Sequence, residues 1–208
     1  MFLAYLGTTF VATFFNGALV FCAGDAMQGN EPSIKKGLTA AFGKIGYILV
    51  WSVIVAVVSV IIRAIAENGS ILGQIVAVLF SAAWTIMTYF VLPIIMFEDR
   101  GIKGSLKESG SKFRSNWGDT VGTWAGVGFF SAIMVLIAVV IGAISVYVTL
   151  GTPVFIPALI FAILLMVLVF VVSASLKSVA KTALYIYASE GESPSGFENV
   201  DFENHTVK

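Results

Sequence analysis

Residues 120–150 read TVGTWAGVGFFSAIMVLIAVVIGAISVYVTL. No Asp, Glu, Lys, Arg or His interrupts the run, and it exceeds the ~20 apolar residues that a helix needs to cross a ~30 Å hydrocarbon layer. Soluble strands rarely pass about ten residues, and the strands of membrane barrels alternate polar with apolar. A continuous apolar run of this length therefore predicts a membrane-spanning helix, long enough to tilt or to begin before the membrane.

Four more charge-free runs lie around it: Phe2–Gly24, Ile45–Ile62, Ser70–Phe97 and Thr152–Leu176. The shortest ends at Arg63, whose long stem can carry its charge to the interface. Over the whole chain 58% of residues are hydrophobic and 12% charged, with mean hydropathy +0.96. A soluble domain carries about 25% charged residues, so lipid is the expected solvent. The fold class is all-α: a polytopic transmembrane bundle of about five spanning helices in residues 1–189. An acidic polar tail, 190–208, is expected to be partly disordered. Formal net charge is +0, which gives no reason to expect nucleic acid as a partner. Cys22 is alone and cannot form an internal disulfide. His205 is the single histidine, and one histidine is not a metal site.

The basic residues choose a side. Eleven of the 12 lie in three regions: Lys35, Lys36 and Lys44; then Arg100, Lys103, Lys107, Lys112 and Arg114; then Lys177, Lys181 and Lys208. The two alternate connections hold only Arg63. By the positive-inside rule the three basic regions are cytoplasmic, with the N-terminus outside and the C-terminus inside a cell membrane. The first span has no flanking basic residue and no signal-peptide pattern. Two readings follow: an earlier segment carrying one more helix, or a first span that inserts late, oriented by the charges after it.

The two internal basic loops resemble each other. Ile34, Lys35, Leu38 and Lys44 recur 68 positions later as Ile102, Lys103, Leu106 and Lys112. Each set follows an acidic residue, Glu31 or Asp99. Apolar residues fall on one helical face in each, Ile34, Leu38, Phe42 and Ile45, then Ile102, Leu106, Phe113 and Trp117. Two short amphipathic helices in the cytoplasmic interface are expected, with Lys35, Lys36, Lys103, Lys107, Lys112 and Arg114 toward lipid headgroups. A true parallel repeat and an ordinary pair of basic loops both remain open.

Chemistry-bearing residues are scarce. The five apolar runs hold no Asp, Glu, Lys, Arg or His, which argues against proton coupling and intramembrane acid/base catalysis. No catalytic, cofactor or metal residues are expected: a serine without a base is inert, and the phosphate-loop spacing is missing. Asn16 and Gln74 are polar but neutral, expected to bond between helices or to line a polar cavity. Gly122, Gly126 and Gly128 predict a close helix approach. Pro93, five residues before Glu98, predicts a kink near the cytoplasmic boundary, acting as a hinge or as a static bend. Trp51, Trp84, Trp117 and Trp124 are expected as interface anchors or packing residues.

Several stretches resemble an uncharacterised family of archaeal and bacterial six-helix membrane proteins, known only as a domain of unknown function. They are Phe14-Phe15-Asn16-Gly17-Ala18-Leu19, Pro93 with Glu98, and Ser105-Leu106 with Ser109. The most specific are Ala183-Leu184-Tyr185-x-Tyr187-Ala188 and Gly191-Glu192-x-Pro194-x-Gly196-Phe197. The likeness spans essentially the whole chain. It implies a further basic, tryptophan-containing segment and one more helix ahead of Phe2. A much more distant likeness is to the membrane domain attached to some glycerophosphodiester phosphodiesterases, which carries no catalytic residue onto this chain. The expected function is a non-enzymatic scaffold, accessory or lipid-interacting protein, with membrane lipids, further copies or another membrane protein as partners. The alternative is a transporter or channel for a neutral or lipidic substrate.

Overall fold

A computed structural model describes residues 2–67, 70–98, 100–191 and 194–196. Asp99 and residues 197–208, with most of the acidic tail and His205, lie outside the described residues. Among those described there are eight helices: α1 Phe2–Met27, α2 Ile34–Gly43, α3 Ile45–Glu67, α4 Ile71–Thr88, α5 Val91–Phe97, α6 Ile102–Ser115, α7 Trp117–Thr149 and α8 Phe155–Glu190. Five stretches are long and apolar enough to cross a membrane: Leu3–Met27, Ile45–Glu67, Ile71–Phe97, Trp117–Thr149 and Phe155–Glu190. This is a multi-pass, all-α architecture, and α2 and α6 are its two short amphipathic helices.

The helices outrun the charge-free stretches that predicted them. Backbone hydrogen bonds continue past the apolar region until a residue stops them, so α1 passes Asp25 and α3 passes Arg63, which pairs with Glu67 at 2.7 Å. The stops are glycines in the left-handed region, Gly29 at φ 81° and Gly191 at φ 76°, where a side chain would be strained. Gly151, at φ 77°, likewise closes the α7–α8 connection. The fifth span consequently starts at Phe155 rather than Thr152. Pro157 falls in its first turn, where the missing N–H goes unneeded.

The chain divides into two compact units, Met1–Gly118 with Lys181–Lys208, and Asp119–Ala180. In the first unit α1 packs on α2, α3 and α5, α3 packs on α4, and α6 packs on α4 and α5. Its core joins Phe14, Ala18 and Val20 of α1 to Ile48 and Trp51 of α3 and to Val91, Ile95 and Met96 of α5. Trp51 stacks on Trp84 at 5.9 Å, so these two tryptophans are packing residues, whereas Trp117 is exposed. Three rings, Phe21, Phe97 and Tyr185, stack in series at 6.1 and 5.8 Å. Gly24 makes room for that stack, since a Cβ there would lie 2.3 Å from the Phe97 ring.

The short helices seat themselves on small residues, with larger apolar ones packed beside them. Gly37 and Ala41 are the buried positions of α2, and Ser105, Ser109 and Phe113 those of α6. Ser105 and Ser109 stand 68 positions after Gly37 and Ala41, so the spacing read from the sequence extends to the packing face. Ile34 and Phe42 are 81% and 60% exposed. The apolar face predicted for α2 is therefore divided: Leu38 packs against the core and Phe42 meets the Phe14 ring at 4.9 Å, while Ile34 faces away from the protein. The copies differ in length, 10 residues in α2 and 14 in α6, which adds one turn before α7.

In the second unit, the segments of α7 and α8 meet where a Cβ on Gly142 would stand 3.3 Å from that of Ala162. The close approach expected at Gly126 and Gly128 is absent among the described residues, with open space where each Cβ would lie. Large side chains such as Phe129 and Phe170 are exposed, an arrangement suited to lipid rather than water.

Gly37 is where α2 comes closest to α1: a Cβ there would lie 2.4 Å from Cys22 Sγ and 2.7 Å from the Ala18 carbonyl oxygen. Gly37→Val is expected to lift α2 and cost about 2 kcal/mol by overpacking. Gly110→Ala, at an open position of α6, should leave stability unchanged or slightly raised. Thermal unfolding of both variants in one detergent checks the difference.

Candidate functional site

The third span is broken where Pro93 demands it. Pro93 has no N–H to offer the carbonyl of Tyr89, and the chain leaves the helix at Tyr89–Phe90 before resuming as α5. Tyr89 N–H turns back to the Ile86 carbonyl, and Phe90 N–H is given to the Ser109 hydroxyl at 2.9 Å. Phe90 is wholly buried, so an unpaired donor there would cost several kcal/mol in an apolar surround. Ser109 supplies the acceptor from α6, and the break anchors the interfacial helix to the span. The expected bend is thus a helix interruption closed by a second element.

Glu98, just past α5, gathers a polar cluster. Its Oε1 accepts from the Tyr185 hydroxyl at 2.8 Å, and its Oε2 faces Arg100 Nε at 2.5 Å. Arg100 also reaches Glu108 at 3.3 Å. Lys112 lies 3.6 Å from both carboxylates and donates to Ser189 Oγ at 2.7 Å. Its ammonium also stands 5.1 Å from the centre of the Tyr185 ring. Two carboxylates meet two cations, so the cluster is locally neutral. It holds α5, α6 and the last turns of α8 together. One helical turn earlier in α8, Lys181 caps the face of Tyr89 at 4.8 Å.

The sequence-predicted headgroup residues separate into two groups. Lys35, Lys36, Lys103, Lys107 and Arg114 are exposed. Lys112 is drawn inward, its side chain only 12% exposed, and leaves that set. The reason is electrostatic: two carboxylates and a hydroxyl in reach outweigh solvent for a lysine stem lying along the protein. Lys36 pairs with Asp25 at 3.3 Å and donates to the Glu31 carbonyl at 3.2 Å. Lys35 has no carboxylate partner among the described residues.

Asn16 and Gln74 do not come together. Both side chains lie on exposed faces, and neither makes a hydrogen bond to a neighbouring helix among the described residues. The expectation of an interhelical bond is corrected here. No group of three or more His, Cys, Asp or Glu that could hold a metal occurs among the described residues.

Lys181 and the two internal basic loops lie in the first unit. Tyr185 and Ser189 tie the end of α8 to the second loop, and Ser195 N–H donates to the Met27 carbonyl at 3.3 Å beside the first loop. The likeness noted in the sequence now has a structural basis: Pro93, Glu98, Ser109 and Tyr185 are parts of one joint. A family of unknown function, DUF6159, matches residues 1–197. The chain belongs to that family. No curated protein and no solved structure matches it. For this DUF6159 chain, the partners of Tyr185 and Ser109 were not deducible from spacing, because they lie 87 and 19 residues away. A proline followed by serines on a short amphipathic helix is the only local signal.

If the joint is as described, Tyr185→Phe removes one charge-assisted bond and should cost about 2 kcal/mol. Ser109→Ala leaves Phe90 N–H unpaired and should cost about 1–3 kcal/mol. Glu98→Gln with Lys112→Met should be less destabilised than the two single losses added. A double-mutant cycle on detergent unfolding midpoints reads that coupling.

Proposed function

We propose that this protein is a non-enzymatic membrane component whose cytoplasmic-side helices α2 and α6 lie in the lipid interface and gather anionic lipid. One observation carries the reading. Both helices turn small residues onto the protein while leaving Lys35, Lys36, Lys103, Lys107 and Arg114 exposed. A row of lysines at the headgroup level attracts anionic lipid by about 1 kcal/mol each. Glu98 and Glu108 are occupied by Arg100, Lys112 and Tyr185, which supports a structural role for them rather than proton transfer. Membrane lipids are the first partners on this reading, with further copies or another membrane protein as later ones.

The orientation belongs to the same proposal: the basic regions and the C-terminus in the cytoplasm of a cell membrane. With Cys22→Ala as background, Ser111→Cys should react with a membrane-impermeant maleimide only after the cytoplasmic face is opened. Thr152→Cys should react in intact cells, and the reverse pattern overturns the orientation. For the lipid reading, the protein in nanodiscs containing spin-labelled phosphatidylglycerol should show a motionally restricted fraction. Replacing Lys35, Lys36, Lys103 and Lys107 by Gln together should lower that fraction severalfold, with phosphatidylcholine unaffected. An unchanged fraction would remove the basis for the proposal.

A further inference from the structure

Next to the first interfacial helix lies an open cleft of about 490 Å³, lined by Phe21, Ser33, Lys35, Lys36, Thr39 and Ala40. Its floor is apolar, from Phe21 and Ala40. Its rim carries two ammonium groups and two hydroxyls. The Ser33 side chain makes no capping bond to α2, and neither it nor Thr39 donates to another group among the described residues. Lys36 is shared with Asp25, which leaves the charge of Lys35 uncompensated at the cleft. The first-turn N–H groups of α2 open beside Ser33 and add to the positive potential.

We propose that this cleft seats the phosphate of one anionic glycerophospholipid, with the first carbons of its chains on Phe21 and Ala40. The proposal rests on the interfacial placement of α2 argued above and adds a defined site to it. Phosphate suits the lysines and hydroxyls, which are donors on a scale matched to its oxygens. Lipid, as opposed to a free ion, suits the apolar floor and the exposed Ile34 and Phe42 on the same helix. The volume falls in the range of small-molecule sites, ~300–1,000 Å³.

Around the second basic loop the corresponding positions are filled by the protein itself. Stepping 68 positions on, Phe21 corresponds to Tyr89, whose face is capped by Lys181. Lys36 corresponds to Gly104 and Ala40 to Glu108, which is tied to Arg100 and Lys112. There, Tyr185 and Ser189 of α8 supply the hydroxyls and close the joint. Protein occupies one place, and the chemistry of the other matches a headgroup.

The test uses the full chain, delipidated in detergent, and native mass spectrometry with phosphatidylglycerol or phosphatidylcholine added. One phosphatidylglycerol should bind ahead of all others, and phosphatidylcholine should not. Lys35→Ala with Thr39→Ala should weaken that first molecule about tenfold, whereas Lys103→Ala with Lys107→Ala should weaken only the later, less tightly held molecules. Unfolding midpoints equal to the parent show that both variants are folded. First-molecule binding unaffected by the cleft variant overturns the site. If the α6 variant alone weakens phosphatidylglycerol, the interfacial reading stands and the cleft site falls. If neither variant matters and phosphatidylcholine binds equally, both fall. Displacement of the lipid by millimolar inorganic phosphate would assign the cleft to the free ion and overturn the lipid.

Discussion

A peptide N–H inside hydrocarbon has no water to turn to, and that constraint governs the break at Tyr89–Phe90. Pro93 forces an interruption, and the interruption survives because Ser109 accepts from Phe90 N–H across 19 residues. The same serine sits on the packing face of α6, so one hydrogen bond closes the broken span and fixes the interfacial helix beneath it. Glu98, Arg100, Glu108, Lys112 and Tyr185 then surround that junction. Their charges cancel, and their long side chains bring the end of α8 against α5 and α6.

The two interfacial helices show how one solution can be used for two purposes. Each rests on small residues at equivalent positions, Gly37 and Ala41 in one and Ser105 and Ser109 in the other. Small residues allow backbone approach without a hydrophobic gain, the currency of packing where lipid is already as apolar as leucine. The copies diverge in what lies above them. Around α6, Glu108, Ser109 and Lys112 are satisfied by other parts of the chain. Around α2 the lysines and hydroxyls face an open cleft over Phe21.

Much of this was legible in the residues. Uncharged runs identified five spans, and Lys35, Lys36, Lys103 and Lys107 stayed at the surface as their crowding between spans suggested. The errors share a cause. Lys112 was assigned to lipid because its neighbours in sequence are lysines, but two carboxylates and Ser189 within 3.6 Å draw it inward. Gly126 and Gly128 carry the small-residue spacing without a neighbour to use it. Asn16 and Gln74 were given interhelical partners that their exposed faces do not supply.

By itself the sequence determined the helical class, the number of stretches long and apolar enough to span, the grouping of basic loops and the position of the proline, because each follows from local composition and period. Only the tertiary structure decided which small residues seat the interfacial helices and which lysine is buried. It also decided that Tyr185 closes on Glu98, 87 residues away. Those outcomes depend on which groups meet after the chain has folded back on itself. A hydrogen bond or ion pair between distant residues leaves no periodic trace in the residues on either side of it.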